Sequence, residues 1–559
     1  MGHPFNGYLQ LGLNSRRLTT IALWIAIVPL LGWWITGLFD LDEGFYAAVV
    51  GEMNRRGEWV TPFYNGQPWF EKPILLYWMA KPCLAIFGDM IGPRLPSVLS
   101  AIGCYVLVAR YARRWLSENA ATYSVIVLSS SLLFVAIGRM MMTDMPLVLT
   151  FSAAMLTFWE SLTGNRKMRL ATAALLGLAV LAKGPVALIL FVLIAGWTFW
   201  KEPELRPAFR GQWLLGTVIL VGVIALWYVP AYLANGQLFV QKFLIEQNVG
   251  RFTGGDKAHT IKAAWAYPIY IPILLLGMTP WLYYLVRNGR WSQIADSQSH
   301  NASSQFLRYL SAWTLVVLLF FSISSAKLPH YVLPACVPLA MLVPAAIDRW
   351  IVWTKRTNLW VIAFASTTIL VGVMLIGSVN KTSQLLGIAA LISSIVLWGL
   401  LQANALAKAT TENRVKWSLI WTVSVGLLAN VGFLAWYEKS GQREAHELAR
   451  YVRENSVFGV PETVAVYQLP RRSKDLGTGK PKLQETSLPS MLLYLNTTVT
   501  EAETPDEVIN AKCHWLFTRS GRMTEPTQEA FVNAGLTLRR VGPATENFEL
   551  YELKPASEQ

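Results

Sequence analysis

The stretch RRLTTIALWIAIVPLLGWWITGLFDLDE, residues 16–43, runs from Arg16-Arg17 through 22 uncharged, mostly apolar residues to Asp40, Asp42 and Glu43. As a helix, such a run is about 33 Å long, enough to cross a hydrocarbon layer of about 30 Å. It is too long for the apolar part of a signal peptide and lacks a small-x-small exit, so it reads as a retained first span. The same pattern recurs at 73–90, 95–112, 120–137, 145–162, 169–183, 184–200, 213–233, 264–286, 308–325, 331–347, 358–378, 384–402 and 417–436. Composition agrees with a chain in lipid: 53% of residues are hydrophobic and 15% charged, against about 25% charged in soluble domains. The 24 Trp and 20 Tyr gather at segment ends, as interfacial anchors do.

The net charge of +14 would suggest nucleic acid in a soluble protein. Here the basic residues sit in short loops and set orientation instead, so membrane lipids are expected as partners and nucleic acid is not. With Arg16 and Arg17 inside, the inner loops collect Arg110, Arg113 and Arg114; Arg166, Lys167 and Arg169; Arg287 and Arg290; and Lys408, Arg414 and Lys416. Segment 73–90 is short, begins at Lys72-Pro73 and contains Lys81-Pro82, so it reads as interfacial or re-entrant. Counting it as a span would invert every later loop. Thirteen spans are therefore expected, with the N-terminus cytoplasmic and three larger regions outside: about 40–94, 234–263, and everything after Glu438.

The expected division is a transmembrane unit over 1–437 and a soluble outer domain over 438–559. In that domain, helical patterns (Arg443–Asn455, Pro505–Ala511, Thr527–Ala534) alternate with strand-like runs (Thr463–Leu469, Cys513–Thr518, Phe548–Leu553), which predicts a small α/β fold. Arg471–Lys482 reads as a loop. Cys83, Cys104, Cys336 and Cys513 lack metal-ligand spacing, and only Cys513 lies in the soluble domain, which excludes a disulfide within it.

Ionisable residues at span ends are costly and mark candidate sites. Asp42 opens a short helix whose one face carries Phe45, Ala48, Val49 and Met53, with Glu52 and Arg55 opposite; this predicts an amphipathic helix on the membrane surface, with Asp42 its N-cap. Glu71-Lys72-Pro73 opens the interfacial helix, and Lys72 suits an anionic headgroup. In Gly138-Arg139-Met-Met-Met-Thr143-Asp144-Met-Pro146, Thr143 or Asp144 is expected to cap the next span. Glu246, Arg251, Lys257 and His259 share one outer loop. Lys327, His330 and Tyr331 sit between two spans in another turn, held by Pro329 and Pro334. All these groups fall on the same face. They indicate handling of a lipid with an anionic headgroup, and fix no reaction.

The ordered set Asp42-Glu43-x-x-Tyr46-Ala, Gly66-x-Pro68-x-x-Glu71-Lys72-Pro73, Arg94-Leu-Pro96-Ser, Asp144-x-Pro146, Lys183-Gly-Pro185, Arg251-Phe252 and Ser324-x-x-Lys327-Leu-Pro-x-Tyr331 resembles the GT-C glycosyltransferases, and among them the bacterial lipid A aminoarabinose transferases. The chain departs from that pattern at Gly44-Phe45 and Gln247-Asn248. The resemblance implies an α-helical polytopic membrane protein of GT-C type, in the bacterial inner membrane, with its site and C-terminal α/β domain periplasmic. It implies an undecaprenyl phosphate-linked 4-amino-4-deoxy-L-arabinose donor, a lipid A phosphate acceptor, and resistance to polymyxin and cationic peptides. By the same resemblance Asp42, Asp144 and Glu43 are catalytic; Lys72, Arg251, Tyr331 and Lys327 bind the donor phosphate; and Tyr46 and Glu71 line the substrate pocket. A divalent metal, zinc or magnesium, would use Glu71 and His259, and none is required. Two other readings fit the span pattern: a protein O-mannosyltransferase-like enzyme acting on Ser/Thr, and a lipid transporter or flippase. The related halves and broken midplane helices of a transporter are not legible here.

Overall fold

The computed structural model describes residues 15–206, 213–250, 264–279 and 302–346, then 442–456, 463–469 and 488–556, apart from 41 and 325–326, with scattered residues between 281 and 285 and between 422 and 437. The expected spans at 358–378 and 384–402 and the loop Arg471–Lys482 lie outside the described residues.

The chain is helical and polytopic. Among the described residues, Leu75–Trp115, Asp144–Leu162, Leu214–Gln247 and Ala302–Ile323 are long and apolar enough to cross a membrane, and a pair of helices bent by 66° makes a fifth. In order come α1 (Ser15–Ile25), α2 (Asp42–Arg55), α3 (Leu75–Ile91), α4 (Leu95–Trp115), α5 (Glu118–Ser129), α6 (Leu132–Gly138), α7 (Asp144–Leu162), α8 (Met168–Lys183) and α9 (Val186–Lys201). Further helices span Trp213–Phe239, Ala302–Ile323 and Leu333–Ala346. The split between α8 and α9 falls where the sequence placed it: Gly184 takes φ +85°, open to glycine, and Pro185 cannot extend the preceding helix.

Two expected spans are not single helices. The first stops at Ile25, and Val28–Leu30 forms a separate short turn built on Pro29, which has no N–H to continue the ladder. A methyl group on Gly426 would press into Pro29, so a later segment packs closely on this break. The segment at 120–137 bends between α5 and α6, where Ser130 and Ser131 return their hydroxyls to carbonyls one turn back. Helix α3 folds back on the approach to α4, with Gly88 at φ +72° and Gly92 so close to Cys83 and Leu84 that a Cβ would meet the Cys83 carbonyl at 2.5 Å.

The C-terminal region carries a five-stranded sheet of order β4-β3-β5-β7-β6: β3 (Val464–Tyr467), β4 (Thr500–Ala502), β5 (Trp515–Arg519), β6 (Leu536–Val541) and β7 (Phe548–Pro555). Strands β4 and β5 run parallel to β3, while β7 lies antiparallel between β5 and β6. The helices Gln442–Glu454, Pro505–Asn510 and Glu525–Asn533 lie where the sequence placed them. Strands β4 and β6 and the Met491–Leu495 helix were not expected. All four cysteines are free.

The expectation of a surface-lying amphipathic α2 is corrected. From Glu43 to Met53 the helix is buried except at half-buried Phe45. One apolar core joins Tyr46, Val49 and Met53 with Ile74 and Tyr77 below and with Leu448, Leu492 and Leu493 of the C-terminal region above. Part of the polar side of α2 is covered too: Glu52 is buried and accepts from Arg56 and from the Gly66 amide, while Arg55 at the helix end stays exposed. Hence α2 is sandwiched between the membrane unit and the C-terminal domain.

Candidate active site

The first loop is shaped by a short hairpin. Asn65 and Gly66 take φ of +47° and +83°, the left-handed pair that a two-residue turn requires, joining β1 (Phe63–Tyr64) to β2 (Gln67–Pro68). Trp69 then stacks on Phe45 of α2 at 5.3 Å and 10°. This fixes the chain that delivers Glu71 and Lys72 ahead of α3.

The base of the loop is held by Glu43 and Arg94. Arg94 donates from Nε and Nη2 to the two carboxylate oxygens of Glu43, each at 2.7 Å, and both side chains are fully buried. Glu43 also accepts from the Phe39 and Met141 amides, and Arg94 donates to the carbonyls of Thr36 and Gly37. Every oxygen of Glu43 is thereby committed. It was expected as a catalytic residue; its geometry is that of a joint binding α2, α4 and the α6–α7 turn.

A second cluster lies at the start of α7. Asp144 is buried and accepts from Lys183 Nζ at 2.5 Å, with His330 Nε2 at 3.9 Å from its other oxygen. The Lys183 ammonium lies 4.7 Å from the centroid of Tyr331. Lys72 is within electrostatic reach of Asp144 and His330, and Asp42 of His330 and Tyr46. Glu71 acts on both Tyr46 and Tyr77, whose rings lie 6.3 Å apart. Neither Thr143 nor Asp144 caps α7: Thr143 has helical backbone and makes no cap bond, while Asp144 is drawn to Lys183. Asp42 occupies the first position of its own helix, exposed.

The structure thus brings together Asp42, Tyr46, Glu71, Lys72, Asp144 and Tyr331 among the residues singled out from sequence. It separates Lys327, whose ammonium donates to the Phe321 and Ser322 carbonyls at 2.8 and 2.6 Å and so closes the end of the Ala302–Ile323 helix. Arg251 and His259 lie outside the described residues. Among the described residues no three His, Cys, Asp or Glu side chains are grouped to hold a metal ion. Lys183 and His330 enter the cluster as well: the sequence places His330 on this face beside Lys327 and Tyr331, and gives Lys183 no role there. Lys183 was visible only as part of Lys183-Gly-Pro185, and its pairing with Asp144 crosses 39 residues.

Beside the cluster lies a cavity of about 600 Å³. Asp42, Glu43 and His330 share its wall with apolar Leu132, Ala136, Ile137, Met140, Ala429 and Phe433. Carboxylate, imidazole and a long apolar lining in one cavity suit an amphiphile with a charged head.

Fold and site together define a polytopic helical protein with several helices long and apolar enough to cross a membrane and a cluster of charged side chains beside an apolar-lined cavity. The solved structure of ArnT from Cupriavidus metallidurans bound to undecaprenyl phosphate superposes with a TM-score of 0.71, at 19% identity, over 96% of this chain and 97% of that one. Residues 71–229 match the family described as dolichyl-phosphate-mannose-protein mannosyltransferase. The undecaprenyl phosphate-alpha-4-amino-4-deoxy-L-arabinose arabinosyl transferase of Erwinia tasmaniensis is 31% identical over 342 residues, 59% of each chain. That of Pseudomonas aeruginosa is 30% identical, over 60% of each chain. The chain spans about three-fifths of the length of these curated relatives in the matched region.

Proposed function

We propose that this protein is an inverting glycosyltransferase that moves 4-amino-4-deoxy-L-arabinose from undecaprenyl phosphate to a phosphate of lipid A. The observation that carries this is the convergence of Asp42, Lys72, His330 and the Asp144–Lys183 pair beside an apolar-walled cavity. The names of the relatives supply the sugar and donor. In the proposed topology thirteen spans place this face in the periplasm, with the N-terminus in the cytoplasm of the bacterial inner membrane. The unit over 1–437 carries the chemistry, and 438–559 covers its first loop.

In the reaction the sugar C1 exchanges one phosphate oxygen for another. The acceptor oxygen attacks as the C1–O bond to the donor phosphate breaks, and the bonding pair leaves on that phosphate. Lys72 stabilises the charge that builds there, with Arg251 as a second cation and Tyr331 beside it. A phosphate acceptor is already anionic at neutral pH, so no proton need be removed. Asp42, exposed at the cavity, meets the sugar ammonium. Asp144 holds Lys183 and orients His330, Tyr46 and Glu71 line the pocket, and Glu43 is a positioning residue. Lys327 supports the turn that carries Tyr331. No step needs a metal.

The test is mass spectrometry of lipid A from cells lacking this protein, with and without complementation. An aminoarabinose adduct that disappears, returns with wild type and stays absent with well-expressed Asp42→Ala supports the reading. Lipid A that keeps its adduct in the deletion rejects the acceptor and directs attention to periplasmic Ser/Thr glycosylation.

A further inference from the structure

Arg139 lies in the turn between α6 and α7 and is 3% exposed. Its Nη2 donates to Asn430 Oδ1 at 2.5 Å, but Nε and Nη1 are buried without a hydrogen-bond partner. Among the described residues no carboxylate pairs with it. The charged neighbour that acts on it is Arg94, a like charge already matched by Glu43. Burial pushes the Arg139 pKa down to about 10, with Arg94 adding to the effect, so the side chain stays cationic at neutral pH. A buried guanidinium with two unused donors is strongly unfavourable unless an anion arrives to meet it. Phe433 separates Arg139 from the nearest space for such an anion: the guanidinium packs on its ring at 5.2 Å, and that ring lines the cavity shared by Asp42 and His330. Ile137 and Met140, on either side of Arg139 in the chain, line it too.

We infer that Arg139, oriented by Asn430 and Phe433, is a second anion site, distinct from the Lys72 cluster, that takes the phosphomonoester head of a lipid whose chains lie along the cavity wall. Identifying that lipid with the acceptor rests on the transferase reading above; the anion site does not. A second cationic centre, joined through Phe433 to the cavity that Asp42 lines, would hold the acceptor phosphate while the Lys72 cluster holds that of the donor.

The test uses the full-length protein in detergent carrying Lys72→Gln, so that the first cationic centre is silent. Thermal unfolding is followed with dioleoyl phosphatidic acid, with inorganic phosphate, and with dioleoyl phosphatidylcholine. Phosphatidic acid is expected to raise the midpoint, and phosphatidylcholine to leave it unchanged. Adding Arg139→Met should weaken phosphatidic acid binding at least about tenfold, the loss that follows removal of a charge-assisted hydrogen bond. Arg139→Lys should retain part of it. Without lipid, Arg139→Met should be at least as stable as its parent, because it removes an uncompensated buried charge; a purely structural arginine predicts the opposite. Protection by inorganic phosphate that is likewise lost in Arg139→Met supports the anion site with free phosphate as its occupant. Undiminished protection of Arg139→Met by phosphatidic acid, or a lipid-free Arg139→Met less stable than its parent, overturns the inference. Arg139-dependent binding in a protein that transfers no aminoarabinose would leave the anion site standing and strike down the transferase reading.

Discussion

Asp40 and Ser490, 450 residues apart in the chain, meet in two hydrogen bonds: the Ser490 amide donates to one carboxylate oxygen at 2.8 Å and the Ser490 hydroxyl to the other at 2.7 Å. Both residues are buried. His446 joins the network, with Nε2 at 2.7 Å from the Ser490 hydroxyl and Nδ1 at 2.9 Å from the Tyr437 hydroxyl. Nearby, Tyr494 accepts from the Leu38 amide, and the Asn65 side chain pairs twice with the Val499 backbone. The C-terminal domain therefore grips the loop that presents Asp42, two residues after Asp40.

Ser490→Ala removes one hydroxyl and leaves two polar groups, on Asp40 and His446, less well satisfied. A loss of about 1–3 kcal/mol of stability is expected from unpaired buried groups. Limited proteolysis around 442–456 and 488–499 should quicken, and transfer activity should fall with it. An unchanged proteolysis pattern would show that the grip lies elsewhere.

The same network predicts a pH dependence. Burial pushes the His446 pKa below the usual 6.5. Below about pH 6.5 the unfolded chain takes up a proton that the native histidine refuses, so stability falls as pH falls through that window. Asp40 is pushed above 3.8, again mainly by burial, so its own effect has the opposite sign: it is fully present below 3.8 and is lost as pH rises through the raised pKa. Hydrogen-exchange protection of 488–496, taken relative to the intrinsic rate at each pH, should be lower at pH 5.5 than at pH 7.5, and His446→Gln should flatten the difference. Equal protection factors at both pH values in wild type would contradict this.

Glu43→Gln leaves Arg94 buried and unmatched. A loss of about 3–5 kcal/mol is expected, the usual result of breaking a buried pair from one side. Unfolding in detergent, or yield of folded protein, measures it. Full stability with lost turnover would instead return Glu43 to a direct catalytic role.

Asp144 and Lys183 should be coupled. In a cycle of Asp144→Asn, Lys183→Met and the double variant, an interaction of about 1–3 kcal/mol is expected, because each single change strands a buried charge. Strict additivity would mean that the two act independently.

Much of the architecture was legible because its signals are local. Gly184-Pro185 separates two spans by backbone chemistry alone, and the helical periodicity of Arg443–Asn455 needs no knowledge of what covers it. Asn65-Gly66 carried an equally local hairpin signal that was not used. The errors arose where a distant partner decides the outcome. The pattern of α2 reads as amphipathic, yet Leu493 covers Gly51 and Glu52 is buried against Arg56 and the Gly66 amide, so the helix is enclosed over most of its length and exposed only at its ends. Thr143 and Asp144 have the residue types of a cap, but the charge of Lys183 draws Asp144 away. Lys327 has the charge of a phosphate ligand, but the free carbonyls of its own helix end are nearer. Residue type proposes a role; the competing partner, invisible in one sequence, selects among roles.

The most direct measurement reconstitutes the purified full-length protein with undecaprenyl phosphate-linked aminoarabinose and lipid A, and follows the product by mass spectrometry and anomeric NMR. The account predicts one aminoarabinose on a lipid A phosphate with inverted anomeric configuration, and a rate at least about 100-fold lower for Lys72→Ala with unchanged stability. Near-normal turnover in Lys72→Ala, or transfer to a Ser/Thr peptide with none to lipid A, would contradict it.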